Sequence, residues 1–154
     1  DVCSSDLLVS PPELKMPAEI VDELREGGHD VLETDSLEVG IADVDIVYST
    51  RLQEERFTTR AEADAYRGRF RLNQGIYTAH CEPNTVIMHP LPRDSREGAR
   101  ELDVDLNDNP NLAIFRQSDN GVLVRMALFA LILDVVERVD DHSRPVSWYT
   151  ERRF

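Results

Sequence analysis

Thr85-Val86-Ile87-Met88-His89-Pro90-Leu91-Pro92-Arg93 is the stretch on which the reading of the fold turns. Thr85–Met88 is a short apolar run of the kind that forms a buried strand. Pro90 and Pro92 cannot continue it, because each ring fixes φ, removes an N–H donor and restricts the residue before it. The chain therefore leaves the strand through a rigid, preset loop. In open α/β sheets ligands bind at the carboxyl ends of strands. A stiff loop there, with Arg93 beside it, suits a small anion.

Outward from this loop, strand and helix patterns alternate. Leu7-Leu8-Val9 reads as a strand stopped by Ser10-Pro11-Pro12. Pro17 opens a helix carrying Ile20, Val21 and Leu24 and stopped at Gly27-Gly28. Asp30–Thr34 reads as a second strand, followed by a short helical turn capped by Ser36. Asp45–Tyr48 is a third strand, ending at Ser49-Thr50-Arg51. Thr58 or Thr59 caps a helix from Arg60 to about Phe70, and Glu62 stands where a capping box with Thr59 needs it. Asn73 starts another short helix ending near His80. Residues 94–110 read as polar loop. Ala113–Arg138 reads as a long helix interrupted at Gly121. This order predicts an α/β fold with a Rossmann-like parallel sheet and helices on both faces. The glycine fingerprint of dinucleotide folds and the P-loop are both absent.

The expected division is one α/β domain over residues 8–138, an artefactual or unstructured start over 1–7, and an extension over 139–154. The chain has no initiator Met, and its first residues have the look of translated adapter sequence, so a longer natural N-terminus is expected.

Of 154 residues 41% are hydrophobic, which excludes a disordered composition. Net charge is −13, which argues against a nucleic-acid partner. Arg dominates the cations, with Lys15 the single lysine. Cys3 and Cys81 have neither metal nor redox spacing. There is no apolar run of membrane-spanning length and no secretory signal, so a cytoplasmic location is expected. No metal and no cofactor is called for.

If the sheet is parallel, the loops after the third and fourth strands leave one edge. Arg51 offers a planar fork to a carboxylate, and Gln53 can donate and accept beside it. Carbonyls around Leu91 can accept from an amine. Together these describe a site for an amino dicarboxylic acid. Arg51 could instead be a surface residue paired with Glu54 or Glu55. His89 could simply cap a hydrogen-bond network.

Four segments carry a resemblance. Tyr48-Ser49-Thr50-Arg51-Leu52-Gln53-Glu54-Glu55-Arg56-Phe57 resembles the Y-x-T-R-x-Q-x-E-R segment of aspartate carbamoyltransferases, and His89–Arg93 resembles their HPLPR segment. Phe115-Arg116-Gln117, with Asn120-Gly121 and Arg125-Met126-Ala127-Leu128, resembles their C-terminal helical signature. Val9–Pro17 also fits. The resemblance runs in order from about Leu8 to Leu133. It implies the second, aspartate-binding domain of the carbamoyltransferase fold only, without the phosphate-binding half and without that domain's own first strand and helix.

By the same resemblance, Arg51 grips a carboxylate of L-aspartate and Gln53 helps to position it. Leu91 gives its carbonyl to the amino group, and Pro92 shapes the turn after a cis Leu91–Pro92 bond. Thr50, His89 and Arg93 support them. No catalytic residue is assigned within this chain. An acidic residue that some members carry after the loop has Glu97 as its nearest candidate. The family joins carbamoyl phosphate and L-aspartate to give N-carbamoyl-L-aspartate and phosphate, an early step of pyrimidine synthesis, and needs no cofactor. It works as a homotrimer, in some cases with regulatory or other pathway subunits, so this chain alone is expected to be inactive. An ornithine carbamoyltransferase would place Cys where Pro90 stands. A non-catalytic amino-acid-binding module and a receiver-like signalling domain are the other readings, and the latter lacks its acidic strand ends.

Overall fold

The computed structural model describes residues 5–139 and residue 141. Its strands are β1 (Ser5–Val9), β2 (Asp30–Thr34), β3 (Ile46–Tyr48) and β4 (Val86–Met88). Its helices are α1 (Ala18–Glu26), α2 (Leu37–Gly40), α3 (Arg60–Tyr66), α4 (Gln74–His80) and α5 (Ile114–Ile132). All strand pairing is parallel, as the alternating pattern requires. The fold is α/β.

The expected single sheet is instead two parallel pairs, β1 with β2 and β3 with β4. Val9 lies opposite Thr34 in the first pair and Tyr48 opposite Met88 in the second. β4 is also bridged on its other side through Ile87 and Leu112. Among the described residues β1 and β3 each pair on one side only. α1 packs against β2, α2 against β1 and β2, and α5 against β4.

Local chemistry sets the helix starts. The Ser36 hydroxyl accepts from Val39 N–H, the Asn73 side chain accepts from Ile76 N–H, and Thr59 and Glu62 form a reciprocal capping box. α3 stops at Tyr66, short of Phe70, and Gly68 then takes φ 74°. α5 runs unbroken through Gly121, correcting the expected interruption, because the i→i−4 ladder tolerates one glycine. It ends at Ile132 rather than Arg138, and a separate 3-10 turn covers Val136–Arg138. β1 begins at Ser5, two residues before the expected start. Apart from Val139 and Asp141, the 139–154 extension lies outside the described residues.

The main core gathers Leu37, Ile41, Leu72, Tyr77, Ile87, Leu102, Leu106, Leu112 and Ile114. Two of these come from the 94–110 segment read as polar loop. Leu102 bridges to Leu72 by backbone pairing, and a 3-10 turn over Val104–Asp108 buries Leu106. Tyr77 ties the core to the start of β4 by donating to the Thr85 carbonyl at 2.9 Å. By contrast, α5 presents Leu123, Phe129, Leu131 and Ile132 to solvent, the last 75% exposed.

Candidate functional site

β3 and β4 run parallel in register, so their following loops leave at the same level. Ser49 N–H continues the ladder to the Met88 carbonyl at 3.0 Å. The third-strand loop and the His89–Arg93 loop therefore start side by side. A cleft of about 220 Å³ opens at these strand ends, with Thr50, Arg51 and Gln53 in its wall opposite Ser10 and Pro11, which follow β1. A second cleft of about 600 Å³ is lined by Leu91, Pro92 and Arg93. Arg100 lines both. The structure thus divides the expected residues between two clefts that both include Arg100 in their walls.

The smaller cleft is rich in arginine, most of it paired with carboxylates. Arg51, Arg56, Arg71 and Arg100 all line it, against Glu101. Arg51 forks onto Glu55, at 3.2 Å from Nη1 and 2.6 Å from Nη2. Those hydrogen bonds and the paired charges hold Arg51 more firmly protonated and Glu55 more firmly ionised than usual. The pair is half-exposed on both sides, so Arg51 combines the surface-pair reading with a position in the cleft wall. Arg56 donates to Gln53 Oε1 at 3.1 Å. Asp103 binds Arg71 and stands 3.8 Å from Arg100.

The proline loop is held from beneath by His89. The ring is buried, and its Nε2 lies 2.7 Å from Glu101 Oε1. Its Nδ1 accepts the Leu91 N–H at 2.8 Å. His89 N–H donates to Gln117 Oε1 at 3.0 Å. Leu91 takes φ 54°, and the Leu91–Pro92 bond is cis. His89 is thus a positioning residue for the turn. Arg93 turns its Nη1 to the Asp103 carbonyl at 3.3 Å and to Asn107 Oδ1 at 3.0 Å. Burial would raise the Glu101 carboxyl, but hydrogen bonds from His89 and from backbone N–H groups outweigh it and hold the group below its usual range. Both Glu101 oxygens also accept from Asp94 N–H at 3.2 Å.

Glu101 is an acidic residue built into this segment that the sequence did not single out; its spacing of twelve residues from His89 gives no local signal. Arg96 and Arg100 also went unmarked in the sequence, each being one arginine in an acidic, charged run. Among the described residues, no helix is long and apolar enough to cross a membrane.

This geometry, with two parallel strand ends presenting an arginine loop and a diproline loop, defines a class. The sequence profile of the aspartate/ornithine carbamoyltransferase Asp/Orn-binding domain matches residues 6–132, and the chain belongs to that family. More particularly, it is 70% identical over 148 residues to the aspartate carbamoyltransferase catalytic subunit of Saccharophagus degradans, covering 96% of this chain and 44% of that one. The catalytic subunit of M. jannaschii aspartate transcarbamoylase superposes with a TM-score of 0.71 at 32% identity, over 87% of this chain and 41% of that one. The Trypanosoma cruzi aspartate transcarbamoylase in complex with carbamoyl phosphate and aspartate gives 0.68 at 29% identity, over 82% and 40%. The chain spans under half the length of the relatives it matches.

Proposed function

We propose that this chain supplies the aspartate-binding part of an aspartate carbamoyltransferase. The observation that carries the reading is that the Arg51–Gln53 loop and the Leu91–Pro92 loop start side by side at two parallel strand ends, beside a cleft lined by Arg51, Arg56, Arg71 and Arg100. A dianion there competes with Glu55 and Asp103 for these guanidinium groups, while more distant acids are screened beyond roughly 8 Å at physiological salt. In this reading Arg51 and Gln53 hold a carboxylate of L-aspartate, and the Leu91 carbonyl accepts from its amino group. Pro92 shapes the turn, while Thr50, His89 and Arg93 support the two loops. The family match and the 70% identical catalytic subunit support the same assignment.

The reaction needs only orientation and charge stabilisation. The neutral amine attacks the carbamoyl carbon of carbamoyl phosphate, a C–N bond forms, the C–O bond to phosphate breaks, and the proton lost by the amine passes to the departing phosphate. This chain holds the nucleophile. Carbamoyl phosphate and the leaving phosphate are held by residues outside it. The whole enzyme would work as a cytoplasmic homotrimer in pyrimidine synthesis, with regulatory or other pathway subunits in some settings. Ornithine fits less well, since its second ammonium would enter an arginine-rich cleft and Pro90 replaces the expected Cys.

Titration of the ¹⁵N-labelled chain with L-aspartate, L-ornithine and a bisubstrate phosphonate analogue tests the reading. L-Aspartate and the phosphonate are expected to shift the amides of Arg51, Gln53 and Leu91, L-ornithine to leave them in place, and Arg51→Ala to abolish the response. The chain alone is expected to show no turnover, while its exchange into the S. degradans catalytic subunit retains activity. Turnover by the isolated chain, or a response to ornithine alone, would overturn it.

A further inference from the structure

Both substrate loops end in an acid, and one guanidinium lies between those acids. Glu54 directly follows the Arg51–Gln53 segment, and Asp94 directly follows Leu91–Arg93. Arg96 Nη1 donates to Glu54 Oε2 at 3.1 Å, and its Nη2 donates to Glu54 Oε1 at 2.9 Å. Its Nε reaches both Asp94 oxygens, at 3.0 and 3.1 Å, and Nη2 also donates to Asp94. One planar group therefore binds a carboxylate on each side, which a lysine ammonium cannot reproduce.

The contacts continue in both directions. Glu54 also accepts from Arg67 Nη2 at 3.2 Å, and Arg67 is paired at 2.8 Å with Asp64 on α3. Asp94 N–H binds Glu101, Glu101 binds His89, and His89 takes the Leu91 N–H. The side chains of Glu54 and Asp94 are only 23% and 12% exposed, whereas Arg96 is 54% exposed. Arg96 therefore lies as an outer bar across two acids that are otherwise turned inward. A lone exposed ion pair contributes little, but a network of forked contacts restrains its members together.

We propose that Arg96 is a positioning residue that clasps the two loops, and so fixes the distance between the carboxylate grip at Arg51 and Gln53 and the amine-accepting carbonyl at Leu91. The proposal rests on the reading that L-aspartate lies between those loops. It gives the 94–101 segment a function: that segment carries the clasp.

The test has two arms on the 154-residue chain. In the first, hydrogen exchange without ligand compares wild type, Arg96→Ala and Arg96→Lys. Exchange at Glu54, Arg56, Phe57 and Asp94 is expected to quicken roughly ten-fold in both variants, with melting temperatures close to wild type. Unchanged exchange in both loops overturns the clasp. In the second arm, titration with L-aspartate is expected to give Kd values roughly ten-fold weaker in Arg96→Ala, with Arg96→Lys recovering little of the loss. Faster exchange with an unaltered Kd overturns the positioning role. Failure of the wild-type chain to bind L-aspartate overturns the proposed function instead, and with it the substrate part of this proposal, while the first arm still decides whether the loops are clasped.

Discussion

His89 has one ring nitrogen accepting from Leu91 N–H, so the other must carry the hydrogen shared with Glu101. That single tautomer links the end of β4 to the 94–101 segment. His89→Ala leaves a buried carboxylate without its main donor and is expected to cost about 3 kcal/mol in urea unfolding. Asp94 gives a pH-dependent prediction. Hydrogen bonds from Arg96, opposed only in part by burial, push its carboxyl down to about 2 from an ordinary 3.8. A depressed carboxylate stabilises the fold fully above its unfolded value and loses that contribution as pH falls towards its folded value. The gap in melting temperature between wild type and Asp94→Asn should therefore be open at pH 6 and close between pH 3.8 and about 2. A gap constant down to pH 2 would detach Asp94 from Arg96. Much at this scale was readable from residue types: Arg51 as a fork, His89 as a network cap, Leu91–Pro92 as a fixed turn. Glu101 and Arg96 were not, because their roles depend on which of several similar charges in one acidic run folds back onto the loop.

The helix caps were legible because a cap is a local contract between residues two or three apart: Ser36, Thr59 with Glu62, and Asn73 each do what their spacing implies. The interruption expected at Gly121 fails for the complementary reason. A glycine's cost of about 1 kcal/mol is small against a nineteen-residue hydrogen-bonded ladder. The 94–110 segment reads as loop because Leu102 and Leu106 are isolated among acids; pairing with Leu72 draws Leu102 inward, and the Val104–Asp108 turn buries Leu106. Two glycines in helices then separate by environment. A Cβ on Gly121 would meet only Arg125 Nη1 at 3.5 Å, so Gly121→Ala should stabilise by roughly 0.5–1 kcal/mol. A Cβ on Gly40 would run into the Val9 side chain of β1. Gly40→Ala should destabilise by about 1–3 kcal/mol, and Val9→Ala in the same chain should recover part of the loss. Thermal melts of the three variants would check both signs.

At the scale of the molecule, and among the described residues, one edge each of β1 and β3 and the solvent-facing side of α5 stand without partners. The strand ends of β1 and β3 share one cleft, with Ser10 in one wall and Thr50 in the other. A doubly wound sheet has its first strand between the second and the fourth. If β1 and β2 hold the second and third places and β3 and β4 the fourth and fifth, one parallel strand between β1 and β3 would join the pairs into the sheet that the alternating sequence implies. No such strand stands among the described residues. The alternating pattern alone does not reveal the gap, because it reports the order of elements and not which neighbour is missing; the family resemblance is what implies a domain without its first strand and helix. The exposed Leu123, Phe129 and Ile132 make the same argument for α5, since apolar patches of this kind mark contact surfaces. The isolated chain should therefore bind a hydrophobic dye and self-associate in sedimentation. Fusion to the amino-terminal part of the S. degradans relative should suppress both, and should slow amide exchange along β1 and β3 by roughly a hundred-fold as the edges gain partners. A fusion that quiets the dye signal but leaves both strand edges exchanging as before would mean that α5 is covered while the two sheets remain separate.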